Sequence, residues 1–229
     1  MTLVTTVTPE RYFLGISLAL RPDWHLYLME PEATRSSKPE SILKEVSEKK
    51  AKQAAEAARY PVSGTVTAAV VLNASGDQVF MTCHDMAQAA GAVSVRTLQW
   101  LESILVAEPV AAPSVNDCSV RLYGFGIQDH MRIMFLDALH YARVTGMSLS
   151  FAPGIWYHRP FDQAPWADPF HMLIPSELRN RDIDRQGLCD FIGIPCPDDL
   201  MEDPRQMADV ARRMALKGQL FPAPPELSR

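Results

Sequence analysis

Residue types able to carry out chemistry are spread thinly along the 229 residues. Carboxylates are the residue type that could hold a divalent cation or move a proton, and among the 27 Asp and Glu, Asp129, Asp168 and Asp209 stand far apart in sequence. Each also has a plainer role. Asp129 can cap the helix that follows it, Asp168 before Pro169 can initiate a turn, and Asp209 fits a solvated helix position. His84-Asp85 and His158-Arg159 set an imidazole beside a charge but have no further partner at motif spacing, so they are assigned no role. Cys83, Cys118, Cys189 and Cys196 form neither a C-x-x-C pair nor a Cys/His cluster of zinc spacing, and free thiols are expected. Gly124 and Gly126 do not precede a Lys-Ser/Thr pair, which disfavours nucleotide hydrolysis of the P-loop type.

Two segments have the residues for binding. Trp156, Tyr157, Phe161 and Trp166 surround Arg159, a set able to stack bases and contact phosphate. The area each aromatic can bury favours instead a lid packed on the core. Between Lys38 and Arg59 there are six basic and four acidic residues, with Lys49, Lys50 and Lys52 close together. That local excess stands out in a chain of net charge -5, where 22 Lys and Arg face 27 Asp and Glu. A global basic field is therefore absent, and contact with nucleic acid has to be local.

The elements that must position these residues follow from periodicity. With 47% hydrophobic and 21% charged residues, the chain can bury one substantial core. We expect a single α/β domain over residues 1–221 and a flexible tail over 222–229. No apolar run has the ~20 residues a membrane span needs, and Met1 to Glu10 lacks the basic and apolar regions of a signal peptide, so a cytoplasmic location without membrane contact is expected. Arg11 to Leu20 reads as a buried strand, with Trp24 to Met29 as its hairpin neighbour. Ser36 to Arg59 reads as a helix whose apolar stripe, Ile42, Leu43 and Val46, is too thin for burial in the core. Thr65 to Leu72 and Gln78 to Thr82 form a hairpin across Asn73–Asp77. Ser94 is the expected cap of a helix running to about Val106, ahead of a linker over Glu108 to Asn116. Cys118 to Phe125 is a short strand, and the helix marked by Met131, Met134, Phe135, Ala138 and Tyr141 stops at Gly146. Pro153 to Pro169 reads as a packed loop, and Ile183 to Ile192 and Arg205 to Leu220 as the last helices.

This order resembles the ribonuclease-H-like fold of the DEDD-type (DnaQ-like) 3′-5′ exonucleases, a mixed β-sheet flanked by helices. Three stretches of wording carry the resemblance. The helix from Lys38 followed by Tyr60-Pro-Val-Ser-Gly64-Thr-Val-Thr looks like the family's "D-P-x-x-G-x-I-V" approach to a strand. Val120-Arg-Leu-Tyr-Gly-Phe-Gly126 and the helix behind it are similar to "V-x-x-N-G-x-x-F-D". Trp166-Ala-Asp-Pro-Phe-His-Met-Leu173, with Ile183-Asp-Arg-Gln-Gly-Leu-Cys-Asp-Phe-Ile-Gly-Ile-Pro195, is similar to the "D-L-M-x-L-L" and "L-x-x-L-C-x-x-L-G-I-P" segments. The resemblance covers roughly Arg11 to Leu220.

The resemblance implies two metal ions held by carboxylates from the first strand and later helices. At the first-strand Asp-x-Glu pair this chain has Gly15 and Ser17, neither of which brings charge to a cation. At the second motif the acid is Asp129 after an insertion, or Met134 without one, while Asp137 falls later on the same helix. At the third it is Asp168, with His171 in an alternative register. At the last it is Asp209, with Arg205 at minus four where the family has Tyr or His. The expected function is that of a non-catalytic, degenerate subunit or binding module of a nucleic-acid-processing assembly, with no metal, no cofactor and no catalytic residue. Nucleic acid (DNA or RNA) or other subunits would be held by Lys49, Lys50, Lys52, Trp156, Arg159 and Trp166. Two alternatives remain: an active exonuclease using Mg²⁺ or Mn²⁺ with a misread first motif, and an interaction component with no nucleic-acid role.

Overall fold

The structure, a computed structural model, describes residues 10–32, 38–84, 90–105, 120–148, 166–167, 185–195 and 202–218. The longest apolar run becomes strand β1, Glu10–Leu20. Its neighbours are β2 (Gly64–Asn73), which runs antiparallel to it, and β4 (Val120–Tyr123), which runs parallel. β3 (Gln78–Cys83) pairs antiparallel with β2, and the two-residue β5 (Trp166–Ala167) pairs parallel with β4. The mixed sheet thus has the order β3-β2-β1-β4-β5. β1 is flanked on both sides and on both faces, which is why Leu14 and Ile16 are 2% and 1% exposed.

Strand alternation divides the core between the two faces. Leu14 and Ile16 point to the face covered by α2 (Ala92–Leu105) and α3 (Ile127–Thr145), where Leu98, Leu101, Met131 and Met134 pack with Val66 and Val71. Phe13 points the other way, among Val70, Leu72, Tyr123, Ala208 and Ala215. That second face is covered by α5 (Pro204–Gly218), which also packs Met207, Val210 and Met214 against Phe125, Cys189 and Ile194 beside α4 (Arg185–Ile192). α1 (Pro39–Ala57) buries no residue: Ile42 and Val46 are half-buried and Leu43 is 71% exposed, as the thin stripe predicted. α3 ends at Gly146 in the left-handed conformation (φ 68°), whose N–H donates to the Ala142 carbonyl, again as the sequence predicted.

Three local expectations are corrected. Residues 22–27 form a 3-10 turn rather than a strand beside β1. Pro22 has no N–H for a ladder, Trp24 N–H closes back on the Arg21 carbonyl, and β2 already pairs with one edge of β1 as far as Leu20, while on the other edge the Ile16 N–H turns to Met207. Ser94 is not a cap: α2 begins at Ala92, and the Ser94 hydroxyl turns inward. The expected loop over Pro153 to Pro169 contributes Trp166–Ala167 to the sheet, and its remaining residues lie outside those described, as do residues 106–119 and 219–229. No helix among the described residues is long and apolar enough to cross a membrane.

Candidate binding cleft at the carboxyl ends of β1 and β4

The sheet changes direction of growth between β1 and β4, whose parallel strands lead to elements that diverge. In α/β sheets such a point leaves a crevice beyond the carboxyl ends of the strands. Here a cleft of about 620 Å³ opens there. Ile16, Ser17 and Leu18 of β1 form its floor, Ala55, Ala58 and Arg59 from the end of α1 one wall, and Gly126, Asp129 and His130 at the start of α3 another. Glu202, just ahead of α5, closes the lining. Gly126 takes φ 56°, a left-handed conformation suited to glycine, and this sharp turn swings α3 away from β4. His130, one turn into α3, is 8% exposed, whereas the Asp129 side chain is 67% exposed and lies 3.6 Å from Arg132.

The two strand positions that the resemblance assigns to metal ligation, 15 and 17, face the start of α5 and the residues just ahead of it. Ser17 Oγ donates to the Glu202 carbonyl at 2.9 Å. At Gly15 the backbone approach is so close that any Cβ would overlap the Pro204 carbonyl oxygen and lie 2.9 Å from the Ala208 nitrogen. Asp203 caps α5 with its carboxylate, accepting from Arg205 N–H at 2.8 Å and Gln206 N–H at 3.4 Å. The Ile16 N–H points at the Met207 sulfur, 3.4 Å away. Glycine is therefore what the packing of α5 on β1 requires at position 15, and Ser17 ties the chain ahead of α5 to the strand. A carboxylate at position 15 would displace the helix.

The remaining candidates divide by location. Asp129 shares the cleft with Ser17. Asp209 is not among the lining residues; it lies on the outward side of α5, where its Oδ1 accepts from Arg212 Nε and Nη2 at 3.0 and 2.8 Å and its Oδ2 from Arg213 Nε at 2.7 Å. Partial burial raises the Asp209 pKa, but the hydrogen bonds and charges of Arg212 and Arg213 outweigh this and hold the carboxyl below its ordinary value. Met134 is fully buried in the core. On α1, Lys49 pairs with Glu45 at 2.9 Å and donates to the Glu32 carbonyl, Lys50 pairs with Glu30 at 2.8 Å, and Lys52 is exposed. For Trp166 only the backbone in β5 is described, and Trp156, Arg159, Asp168 and His171 lie outside the described residues. Among the described residues, no three His, Cys, Asp or Glu are grouped to hold a metal ion.

Two polar residues of α3 have surroundings that the sequence reading did not foresee, although Asp137 was weighed there as an acid that falls late on the helix. His130 is one. The other is Asp137, which is fully buried and accepts from Ser94 Oγ at 2.7 Å, Thr65 Oγ1 at 3.0 Å and Val66 N–H at 3.2 Å. Arg21, also buried, brings Nη2 to 3.5 Å from its second oxygen and donates to the Gly64 carbonyl at 3.1 Å. This network joins the end of β1, the start of β2, α2 and α3. The signal was present: at about 100° per residue His130 and Asp137 both project between Ile133 and Met134, on the buried side of α3. A polar residue on an inward arc is an inward polar residue, and it needs a partner.

No protein-family model matches the chain, and no curated protein or solved structure matches it either. What the coordinates establish is an α/β chain with a mixed sheet flanked by helices.

Proposed function

We propose that this chain is a ribonuclease-H-like, 3′-5′ exonuclease-type domain that has lost metal-dependent hydrolysis and works as a nucleic-acid-binding module or subunit in a processing assembly. The strand order β3-β2-β1-β4-β5, antiparallel on one side of β1 and parallel on the other, supports the fold half of this reading. The cleft beyond β1 and β4 supports the position of an ancestral site. The observation that carries the loss of chemistry is the seating of α5: Gly15 lies against the Pro204 carbonyl and Ser17 bonds the Glu202 carbonyl, where a metal-bridging pair of carboxylates would have to stand. Binding would draw on Lys49, Lys50 and Lys52 of α1, the helix whose last turn walls the cleft, and on the aromatic segment with Trp156, Arg159 and Trp166.

Asp129 and Glu202 line the same cleft, which keeps a second reading in play, an exonuclease with a rearranged acid set. Incubating the chain with 3′-labelled single-stranded DNA and RNA in Mg²⁺ and in Mn²⁺ separates the two. No release of nucleotides is expected. Release that disappears in Asp129→Ala would overturn the non-catalytic reading and establish the second.

A further inference from the structure

α5 has an outward stripe that the packing of the core does not explain. Its inward residues, Met207, Ala208, Val210, Ala211, Met214 and Ala215, are all buried. Its outward side has Arg205, Arg212, Arg213 and Lys217 against the single acid Asp209, an excess of +3 on one helix in a chain of net charge -5. Arg205 to Arg213 spans about 12 Å of helix axis at the standard rise, the axial length of about three nucleotides in one strand of a duplex.

The arginines are held in fixed orientations. Asp209 takes Arg212 through two N–H groups and Arg213 through Nε alone. Arg212 reaches on to the Ala74 carbonyl at 3.3 Å, and its guanidinium lies 3.2 Å from where a Cβ on Gly76 would be, so it clamps α5 to the β2–β3 turn. Arg205 donates to Gln78 Oε1 at 3.2 Å. Arg213 is different: its side chain is 44% exposed, and among the described residues neither of its terminal nitrogens is hydrogen-bonded. A guanidinium anchored through Nε presents the two-pronged edge that matches a phosphate, and fixing it beforehand reduces the entropy lost on binding.

We propose that the outward stripe of α5, Arg205, Arg212 and Arg213 with Asp209 as their positioning residue, docks the phosphate backbone of nucleic acid at a surface separate from the cleft. This rests on the nucleic-acid reading given above. It assigns Asp209 a role opposite to that of a metal ligand, since its carboxylate is spent on organising cations.

The test uses fluorescence anisotropy of the full chain with short single-stranded DNA, single-stranded RNA and duplex DNA at about 50 and 200 mM salt, with thermal transitions measured for every variant. Arg213→Ala is expected to weaken binding several-fold and to lower the slope of log affinity against log salt by about 1, and Arg205→Ala/Arg213→Ala by about 2. Neither change touches the Arg212 clamp, so native thermal transitions are expected. Asp209→Asn provides the readout that charge alone would not: it makes the stripe more positive, yet weaker binding is expected because the arginines lose their anchor. Tighter binding by Asp209→Asn would overturn the positioning role. Unchanged affinity and slope in the double variant, with wild-type binding intact, would overturn the docking face while leaving the functional reading standing. Wild-type protein that binds none of the three oligonucleotides would overturn both. Displacement of bound oligonucleotide by polyglutamate at equal charge concentration would assign the stripe to an acidic protein and reject the phosphate assignment.

Discussion

Asp137 shows what a single carboxylate does when the whole side chain is removed from water. Its three hydrogen bonds and the Arg21 guanidinium compensate the loss of hydration, and the arrangement holds only while both charges are present. Asp137→Ala leaves Arg21 buried without its counter-charge and leaves the Ser94 and Thr65 hydroxyls without their acceptor. The expected loss is about 3–5 kcal/mol of unfolding free energy, read as a lower denaturant midpoint with an unchanged slope. Removing both charges in Arg21→Met/Asp137→Leu should cost less than the sum of the single changes, because neither ion is then stranded. Additive losses in that cycle would mean that the two residues act independently and that the pairing contributes nothing.

At the level of elements, the contact that defines this molecule is α5 on β1. A helix can approach a central strand so closely only where the strand lacks a Cβ, and Gly15 supplies that gap beneath Pro204 and Ala208. Gly15→Ala is therefore expected to destabilise the domain by about 1–3 kcal/mol through overpacking, although alanine is ordinarily the better residue in a strand interior. Hydrogen exchange should place the damage locally, with faster exchange at the Met207 and Ala208 amides than at α2 and α3. Wild-type stability in Gly15→Ala would show that α5 can move off the strand, and with it the argument that no carboxylate fits there would fall.

Across the whole molecule, charge is distributed unevenly: the total is -5, yet α1 with its flanks and α5 each have a local positive excess. Around α1 much of that excess is already engaged, since Lys49 and Lys50 are tied to Glu45 and Glu30 while remaining 36% and 48% exposed. Exposed pairs of this kind contribute about 0–1 kcal/mol each. Replacing Lys49, Lys50 and Lys52 together with Glu is accordingly expected to shift the thermal transition little, while weakening oligonucleotide binding and flattening its salt dependence. Unaltered binding at both salt concentrations would remove α1 from the interface and leave α5 and the segment around Trp156 and Trp166 to account for it.

Much of the element order was legible in the amino-acid sequence because local physics decides it. The apolar run of β1, the Asn73–Asp77 turn, the heavily charged α1 and the Gly146 stop each follow from burial, turn geometry or capping within a few residues. The absence of acid at positions 15 and 17 was equally plain, and so was the burial of Leu14 and Ile16 that the apolar run over Arg11 to Leu20 implied. Only the tertiary structure decided what those positions are for. That Trp24 to Met29 is not a strand depends on β2, far along the chain, already pairing with β1 as far as Leu20. That Ser94 is a core donor depends on Asp137, 43 residues away. Asp129 and Asp209 looked equivalent in sequence, yet one lines a cleft and the other braces two arginines on an outward helix face. The direction a side chain takes depends on which surface its helix buries, and that surface is supplied by strands distant in the chain.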